Sequence, residues 1–516
     1  GRRDPQGAME EIDVEMNVIR DFVRRVLLSE ETFQEEGNTF VNMFSGEWSG
    51  TSKLNKYDLS SMYFNYAGSI YSQNFPIIDI VMNTMLKQEE SDQGRHFFRM
   101  FNGMGDDQRA AAYLNGKSFE QAVLDNTLST EVFYEMMKLK GVYLRNYINS
   151  RLSSNEFKEF MAEFTKKYQF QEVNFTRLNS EFIRKFHFNL MDFIPNWYTI
   201  NSTPRFIVKG VDADQVEVGD YTKYIVKFQV YNPTNVEGVI SVNVEEGGGM
   251  FPGGPRGRRG RAAQMESKPA KNYIIEPQKY KEIRILCDER PSNLTINTNI
   301  SQNLPSTIMQ NFAKVTTTTT DTVTGIFDAN ATLFTFNPKE ITVDNEDPGF
   351  RIIESNQKNK LQSFFKKESE DKYKNLNFWM PPSKWTATIG ANYYGDYINS
   401  AVYKKSGSGS NKTEWTTQIQ IPGFYEVFVY SSDLPMMGHR WGRNEEKKMQ
   451  YYTVKHDDGE EEISVETGRG RQGWMTLGSF YFSQGEAKIT LSDKGSGSNQ
   501  IIFADAVKWV YTNNNK

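Results

Sequence analysis

With 516 residues, the chain is too long for a single hydrophobic core and should divide into about three domains. Its net charge of -5 gives no general reason to expect nucleic acid or an anionic membrane as a partner. No apolar run in the sequence reaches the roughly 18 residues that a membrane-spanning helix needs, so none is expected.

The first residues read Gly-Arg-Arg-Asp-Pro-Gln-Gly-Ala-Met, and residues 1–9 are interpreted as expression-derived. On this interpretation the sequence is a fragment, and missing targeting signals say nothing about the parent protein. Cys287 is the only cysteine, so an internal disulfide and a cysteine-based zinc site are both excluded. Its place at the end of an alternating apolar run predicts a buried strand residue.

Residues 10–203 are predicted to form a helical domain. Apolar residues recur there at spacings of three and four, which is typical of helices with one buried face. The clearest such stretches are 132–152, 157–164 and 178–188. Capping residues precede two of the predicted helices, at Ser153 and Asn174. A helical bundle or stacked helical array is therefore expected.

The periodicity changes from helical to alternating at Pro204, and residues 204–312 are predicted to form a small antiparallel β-sandwich. Its clearest strands are 205–210, 224–231, 239–244 and 282–286. A Gly- and Arg-rich loop at 247–261 interrupts this unit. The loop could contact nucleic acid or another polyanion, or it could be a solvated hairpin loop, and the acidic character of the chain favours the second interpretation.

Residues 313–380 are predicted to be a linker that contains strands and an acidic turn at 344–350. The carboxylates of this turn could bind calcium, because closely spaced acidic oxygens suit a hard cation. The regular alternation of a calcium loop is missing, which favours a plain capped turn.

Residues 381–516 are predicted to form a second β-sandwich, with aromatic-rich alternating strands separated by glycine turns. Six of the eight tryptophans lie from Trp379 onwards, either to fill a core or to present flat apolar faces to a ligand. Trp474, which enters a regular strand, is predicted to be a core residue. Trp441 lies in a less patterned, glycine-containing loop and is the best candidate for ligand contact, together with its neighbours His439, Arg440 and Arg443.

Recognisable catalytic chemistry is missing from the sequence. The four histidines are scattered, and there is no His-Glu-x-x-His motif, nucleophile elbow, P-loop or dinucleotide fingerprint. A pair of glycosidase carboxylates cannot be assigned from sequence. We therefore expect a non-catalytic chain with no metal site and no cofactor.

Two resemblances add to this interpretation. The first is carried by Lys140-Gly141, the helix at 157–164 and the extended Lys-Tyr-Gln-Phe at 167–170. Residues 125–205 resemble the helical region that follows the metal ligands in zinc aminopeptidases of the aminopeptidase-N and leukotriene-hydrolase group. The zinc motif of that family is missing, and Lys138 occupies the position of its transition-state tyrosine. The resemblance therefore implies the fold of this region and no catalytic role.

The second resemblance covers residues 343–513. It is carried by the acidic turn before the module and by a series of strand motifs at 415–421, 422–430, 452–459, 473–482, 485–492 and 504–507. These resemble the golvesin and xanthan-lyase C-terminal module, which is often described as carbohydrate-binding-like. The resemblance implies a β-sandwich that binds sugars.

The sequence therefore predicts a multidomain α+β protein with an N-terminal α-helical array, a small middle antiparallel β-sandwich and a C-terminal jelly-roll-like β-sandwich. We expect the non-catalytic C-terminal portion of an exported bacterial protein, periplasmic or on the cell surface, that binds a polysaccharide or a cell-envelope protein. Two alternatives are the C-terminal part of a zinc aminopeptidase-like enzyme whose catalytic domain lies upstream, and a protein–protein scaffold in an envelope assembly.

Overall fold

The computed structural model describes residues 70–72, 74, 75, 78, 106–168, 173–246, 270–312, 315, 317–354, 372–377, 380–431, 448–467, 473–497 and 500–512. The chain forms two compact units. One contains Gly1–Asp92 and Glu159–Leu190, and the other contains Gln93–Lys158 and Met191–Lys516.

The described part of the chain contains α-helices between residues 106 and 199, as the helical periodicity predicts. They are α1 (Asp106–Leu114), α2 (Phe119–Leu124), α3 (Thr130–Asn149), α4 (Ser154–Lys167), α5 (Phe175–Phe186) and α6 (Ile194–Thr199), with a short 3-10 helix at Leu190–Asp192. Asn174 caps α5 as predicted, since its side-chain oxygen accepts a hydrogen bond from the backbone N–H of Arg177 at 2.9 Å. Ser153 and Glu156 form a reciprocal capping box at the start of α4. Most of the predicted helical region before residue 106 lies outside the described residues.

The described residues of the first unit include a short parallel pair, β1 (Ile70–Tyr71) with β2 (Val173–Asn174). Helices α4 and α5 pack through aromatic side chains in this unit. The ring of Phe160 meets the rings of Phe182 and Phe186 edge-on, at centroid distances of 5.2 and 5.4 Å.

The middle of the second unit is a β-sandwich, as predicted. Its strands are β3 (Ile207–Val218), β4 (Tyr221–Tyr231), β5 (Gly238–Glu246), β6 (Lys271–Ile275), β7 (Tyr280–Cys287), β8 (Pro291–Asn297), β9 (Thr307–Asn311), β10 (Thr318–Thr319) and β11 (Gly325–Asp328). One sheet has the order β10-β3-β4-β7-β11 and the other β6-β5-β8-β9, and all pairs are antiparallel except β10 with β3. Alternate residues of both sheets form one core, in which Cys287 is fully buried as predicted. The Gly- and Arg-rich loop at 247–261 lies outside the described residues.

A second sandwich follows, after a 3-10 helix at Thr332–Phe334. Its strands are β12 (Glu340–Val343), β13 (Phe350–Ile353), β14 (Thr386–Ile389), β15 (Ser400–Lys405), β16 (Lys412–Ile419), β17 (Gly423–Ser431), β18 (Lys448–His456), β19 (Gly459–Thr467), β20 (Gly473–Phe482), β21 (Gly485–Ser492), β22 (Ile501–Ala504) and β23 (Val507–Thr512). The main sheets have the orders β12-β23-β17-β20 and β13-β16-β21-β18-β19, and a smaller one has the order β14-β15-β22. The shared core contains the buried indoles of Trp385, Trp415 and Trp509.

The first two strands of this sandwich come from the stretch between the two predicted sandwiches. β12 pairs with β23 through four residue pairs, from Glu340 with Val510 to Val343 with Val507. Just before β12, the carbonyl of Lys339 accepts a hydrogen bond from the backbone N–H of Tyr511 at 2.7 Å. The chain therefore enters and leaves the sandwich on adjacent strands, at the same end of one sheet.

The loop at 390–399 connects β14 to β15 of the C-terminal sandwich and contacts the middle sandwich of the same unit. The backbone of Leu304 donates to the carbonyl of Tyr397 at 2.9 Å and accepts from the N–H of Asn399 at 2.7 Å. The guanidinium of Arg205 lies 4.0 Å from the centre of the Tyr397 ring, a cation–π contact. Two guanidinium nitrogens of Arg205, Nε and Nη2, also donate hydrogen bonds to the side-chain oxygen of Gln302, at 3.1 and 2.8 Å. Backbone bonds and a stacked cation therefore fix this loop against the middle sandwich.

The predicted antiparallel sheets, consistent with a β-sandwich architecture, are confirmed. Of the helices in the described part of the chain, none combines the length and the apolar character that crossing a membrane requires.

Candidate binding face

The residues predicted to contact ligand are His439, Arg440, Trp441 and Arg443, and all four lie outside the described residues. Their loop starts after Ser431, the last residue of β17, and ends before Lys448, the first residue of β18. Their role stays a prediction.

A second candidate surface is visible on the sheet that contains β17. Along this strand, Tyr425, Val427 and Val429 are buried in the sandwich core. Because successive side chains of a strand point to opposite faces, the other set lies on the outer face: Phe424, Glu426, Phe428 and Tyr430. Three of these four outer residues are aromatic, an unusual composition for a solvent-facing side of a sheet. We call this side of the sheet β12-β23-β17-β20 the outer aromatic face.

The neighbouring strand β20 adds two more aromatic residues at matching positions. Tyr481 lies opposite Phe424, and Trp474 lies opposite Tyr430. The ring centroids of the two pairs are 5.3 Å apart in both cases, with edge-to-face geometry. Phe424 and Tyr481 each expose 37 % of their surface. Phe424 and Tyr430 are six steps apart along β17, which corresponds to about 20 Å.

The position of Trp474 corrects a prediction. The sequence predicts a core residue, but Trp474 is half-buried on the outer face and does not belong to the core. The reason is a β-bulge, which places Val427 opposite Gly478 and Phe428 opposite Thr476. Beyond the bulge Phe480 and Phe482 face inward, whereas before it the inward residues are Met475 and Leu477. The extra residue shifts the alternation by one, so Trp474 changes face.

The indole of Trp474 has three neighbours on this face. Besides Tyr430, the ring of Tyr394 lies 5.1 Å away at a steep angle. The ammonium of Lys508 lies 4.6 Å from the indole centre, a cation–π contact, and forms an ion pair with Glu340 at 3.3 Å. One end of the outer aromatic face is therefore a preassembled cluster of rings.

Tyr394 reaches this cluster from the loop that joins the sandwiches. Its backbone N–H donates to the carboxylate of Asp505 at 3.2 and 3.3 Å. Burial raises the pKa of the Tyr394 phenol well above its usual value, and the nearby carboxylate of Asp396 raises it further. The phenol also forms a side-chain hydrogen bond with Thr342, so it belongs to the internal packing of the cluster.

Polar groups lie between the two aromatic pairs. Glu426 lies opposite Ser479 on β20 and opposite Val510 on β23. Thr476 and Ser479 are exposed on the same face. Hydroxyls and a carboxylate between flat apolar rings can form hydrogen bonds with a ligand whose own groups are hydroxyls.

The acidic turn at 344–350 is closed by its own hydrogen bonds. The backbone N–H of Asp344 donates to the Asp347 carboxylate at 2.8 Å, and the N–H of Asn345 donates to the Asp344 carboxylate at 2.8 Å. Burial raises the pKa of Asp344 to about 8, with a smaller contribution from the neighbouring carboxylate of Asp347. Within the described ranges, no group of three or more acidic, histidine or cysteine side chains is arranged to hold a metal ion. The geometry is that of a capped turn.

A small cavity lies elsewhere in the second unit, among α3, α6 and the start of the middle sandwich. Its volume is about 40 Å³, and Lys140, Tyr143, Trp197 and Glu237 line part of it. The ammonium of Lys140 is buried and donates to the carbonyl of Trp197 at 2.5 Å. Burial lowers the pKa of Lys140 to about 7. The space suits one or two water molecules and no larger ligand.

The C-terminal sandwich matches a known family. Residues 374–511 match the family model of the Golvesin C-terminal domain. Among curated proteins, none matches the chain significantly.

Several solved structures share a weak likeness to the chain. A xanthan lyase from Paenibacillus is 14 % identical, with a TM-score of 0.24, over 60 % of this chain and 26 % of the lyase. A two-domain protein of unknown function from Bacteroides fragilis is 9 % identical, with a TM-score of 0.16, over 60 % of this chain and 94 % of that protein. The CBM22-1 and GH10 modules of a Clostridium thermocellum xylanase, in complex with xylohexaose, are 14 % identical with a TM-score of 0.13, over 27 % of this chain and 28 % of theirs. The chain thus spans about a quarter of the length of the xanthan lyase.

Proposed function

We propose that this chain binds a polysaccharide through the outer aromatic face of its C-terminal sandwich and has no catalytic activity of its own. The observation that carries the proposal is the pair of partly exposed rings of Phe424 and Tyr481, which lies on the same side of the same sheet as the Tyr430 and Trp474 cluster. Sugar rings present apolar C–H faces that pack against aromatic rings, while their hydroxyls need polar partners at the edges. The match of 374–511 to the Golvesin C-terminal domain supports this choice.

The exposure of the aromatic residues on this face agrees with a binding role. A soluble protein gains nothing in stability from exposed aromatic rings, and contiguous exposed apolar patches often mark interaction sites. The inner side of the same sheet already supplies the core residues Tyr425, Val427, Val429 and Trp509. The outer aromatic residues are therefore additional to what the sandwich needs for its core.

Export to the periplasm or cell surface belongs to the same proposal, because extended polysaccharides are found there. The residues His439, Arg440, Trp441 and Arg443 remain proposed ligand contacts, and the segment that contains them follows Ser431, the residue after Tyr430. The domain limits 10–203, 204–312, 313–380 and 381–516 remain a proposal from the sequence; strands β10 to β13 of the two sandwiches lie within 313–380.

The peptidase-like interpretation of residues 125–205 gains no support from the comparisons. Lys138, at the position of the family's transition-state tyrosine, forms an ion pair with Glu135 at 2.9 Å on the same helix. An upstream zinc domain in the parent protein would be recognised by a His-Glu-x-x-His motif in the parent reading frame.

The test is retention of the full chain in native gels that contain soluble polysaccharides. The native protein should be retarded by at least one polysaccharide, and Phe424→Ala and Tyr481→Ala should each weaken retention about tenfold, since each removes one stacking surface. Tyr221→Ala is the matched control, because Tyr221 is 73 % exposed on the middle sandwich. Thermal melting shows whether each variant is folded. Unchanged retention in both face variants, or no retention of the native protein by any polysaccharide, contradicts the proposal.

A further inference from the structure

The outer aromatic face carries few charged side chains, and only some of them form ion pairs. Among the outward residues of the four strands, the charged side chains are those of Glu340, Glu426 and Lys508. Lys508 forms an ion pair with Glu340 and has an exposed fraction of only 18 %, because it lies over the rings of Phe428 and Trp474. This cation is therefore already used inside the face.

Glu426 has no such compensation. Its neighbours across the strands are Ser479 and Val510, which are uncharged, and no described cation lies within ion-pairing distance of its carboxylate. The side chain is exposed, in the interval between the aromatic pair Phe424 and Tyr481 and the cluster around Trp474. A ligand that contacts both aromatic groups must therefore cross a negative charge.

We infer that the outer aromatic face takes an uncharged, extended glycan chain and that Glu426 determines this specificity by repelling acidic glycans. The inference rests on the proposed polysaccharide-binding function and adds the class of ligand. For a neutral sugar, the Glu426 carboxylate is a strong hydrogen-bond acceptor for hydroxyl groups. For a uronate or a carboxymethylated sugar at the same place, it is a like charge at short range. The separation of about 20 Å between the aromatic groups requires an extended chain of several sugar units to reach both.

Matched polymers isolate the effect of charge from the effect of sugar identity. Full-length protein is run in native gels that contain hydroxyethyl cellulose or carboxymethyl cellulose, dextran or carboxymethyl dextran, and soluble starch or carboxymethyl starch. Within each pair the backbone is the same and only the charge differs. We expect retention by the neutral member of at least one pair and weaker retention by its carboxymethylated partner.

The variant Glu426→Gln keeps the size and hydrogen-bonding capacity of the side chain and removes its charge. It should weaken binding of the neutral polymer, because a charged hydrogen-bond acceptor becomes a neutral one, and strengthen binding of the carboxymethylated partner about fivefold at low salt, so that the preference for the neutral polymer falls. Glu461→Gln is the control, because Glu461 is an exposed carboxylate on β19 of the opposite sheet. It should change neither affinity. Raising the salt concentration should reduce the discrimination by the native protein, a measurement that needs no variant.

The outcomes separate the two levels of the proposal. Stronger binding of the carboxymethylated member by the native protein, or an unchanged preference in Glu426→Gln, overturns the inference while polysaccharide binding stands. In that case Arg440 and Arg443, which lie between β17 and β18 in the sequence, are the next candidates for setting specificity. No retention by any member of any pair overturns the proposed function together with the inference.

Discussion

Trp474 and Trp509 lie on neighbouring parts of the same sheet and have different environments. Trp509 is fully buried in the sandwich core, whereas Trp474 is half-buried among Tyr394, Tyr430 and Lys508 on the outer face. An indole in a close-packed core cannot be removed without leaving a cavity, but one on a surface leaves space that water can fill.

Trp509→Ala should therefore lower the free energy of unfolding by about 3–5 kcal/mol. Trp474→Ala should lower it by less than about 2 kcal/mol, mainly through lost ring contacts. Urea denaturation of the full chain, followed by tryptophan fluorescence, measures both. Equal losses in the two variants would show that Trp474 contributes to the core after all.

Lys140 is a buried amine whose stability contribution depends on pH. Its pKa is about 7 in the folded chain and near 10.5 in the unfolded chain, so between these values the unfolded chain binds more protons. The contribution of Lys140 to the free energy of unfolding is therefore fully present above pH 10.5. It decreases as the pH falls from 10.5 to 7 and is lost below pH 7.

Lys140→Met should therefore stabilise the protein at pH 6, on the order of 2 kcal/mol, because it removes the need to bury a charge. At pH 10 the advantage should disappear, since the native side chain is then buried as a neutral amine. Thermal melts of both proteins from pH 6 to pH 10 provide the measurement. A stability difference that does not vary with pH would mean that Lys140 stays charged in the fold.

At the scale of elements, the turn at 344–350 connects β12 to β13 and thus one main sheet to the other. The backbone of Gly349 comes so close to β16 that an added methyl group would lie 2.4 Å from the carbonyl oxygen of Thr416. The carboxylates of Asp344, which is buried, and Asp347, which is exposed, each accept a hydrogen bond from a backbone N–H in this turn. The turn is therefore tightly packed and carries closely spaced acidic groups.

Asp344→Asn tests the cost of that arrangement. The folded pKa of Asp344 is about 8 and its ordinary value is 3.8, so the folded state binds the extra proton between these values. The contribution of Asp344 to the free energy of unfolding is therefore fully present below pH 3.8 and is lost as the pH rises through 8. The variant should be more stable than the native protein at pH 9, on the order of 2 kcal/mol, and within about 0.5 kcal/mol of it at pH 4.

Chemical denaturation at the two pH values gives the comparison. Asp288→Asn is a suitable control, because Asp288 belongs to an ion pair on the surface and should show no such pH dependence. A variant that is less stable at pH 9 would indicate that the Asp344 carboxylate is ionised and needed.

Element types could be predicted from the sequence wherever the periodicity is regular. The helices at 130–149, 154–167 and 175–186 and the four clearest strands of the middle sandwich follow directly from apolar spacing and from capping residues such as Asn174. The pairing of β12 with β23 could not be predicted, because nearly 170 residues separate strands that have only local patterns. The side of the sheet on which Trp474 lies could not be predicted either. A bulge leaves no periodic pattern in the sequence, and its one extra residue reverses the alternation of inward and outward side chains.

The candidate site was harder to predict than the fold, for a related reason. Phe424, Phe428 and Tyr430 alternate with the core residues of β17, and the sequence offers two aromatic-containing faces of similar apolar character. Only strand pairing shows that the odd-numbered residues face the core. A signal was present in the alternation itself, since a strand with aromatic residues on both faces has more apolar surface than a two-sheet core can bury.

At the scale of the whole molecule, the two sandwiches of the second unit are held together by the loop that also carries Tyr394. Arg205 stacks on Tyr397 of this loop, and Lys209 pairs with Asp396 at 3.6 Å. The same loop therefore contacts the middle sandwich at one end and the aromatic cluster at the other.

Arg205→Ala should loosen this loop. We expect faster amide hydrogen exchange at residues 393–399 and a loss of about 1 kcal/mol of stability, the usual contribution of a cation–π contact. Hydrogen–deuterium exchange of the full chain, read by mass spectrometry, gives the result. Lys223→Ala, which removes an exposed ion pair on the same sandwich, should leave exchange in the loop unchanged. Unchanged exchange in Arg205→Ala would mean that the backbone bonds of Leu304 alone hold the loop.

The adjacent positions of β12 and β23 have a mechanical consequence. When the chain is pulled from both sides of the C-terminal sandwich, the load falls first on the hydrogen bond from Tyr511 to Lys339 and then on the pair formed by Glu340 and Val510. When two antiparallel strands are pulled apart at the same end, their residue pairs break one after another and do not share the load. With only four pairs between these strands, the sandwich should yield at low tension and lengthen when it is stretched through its chain ends.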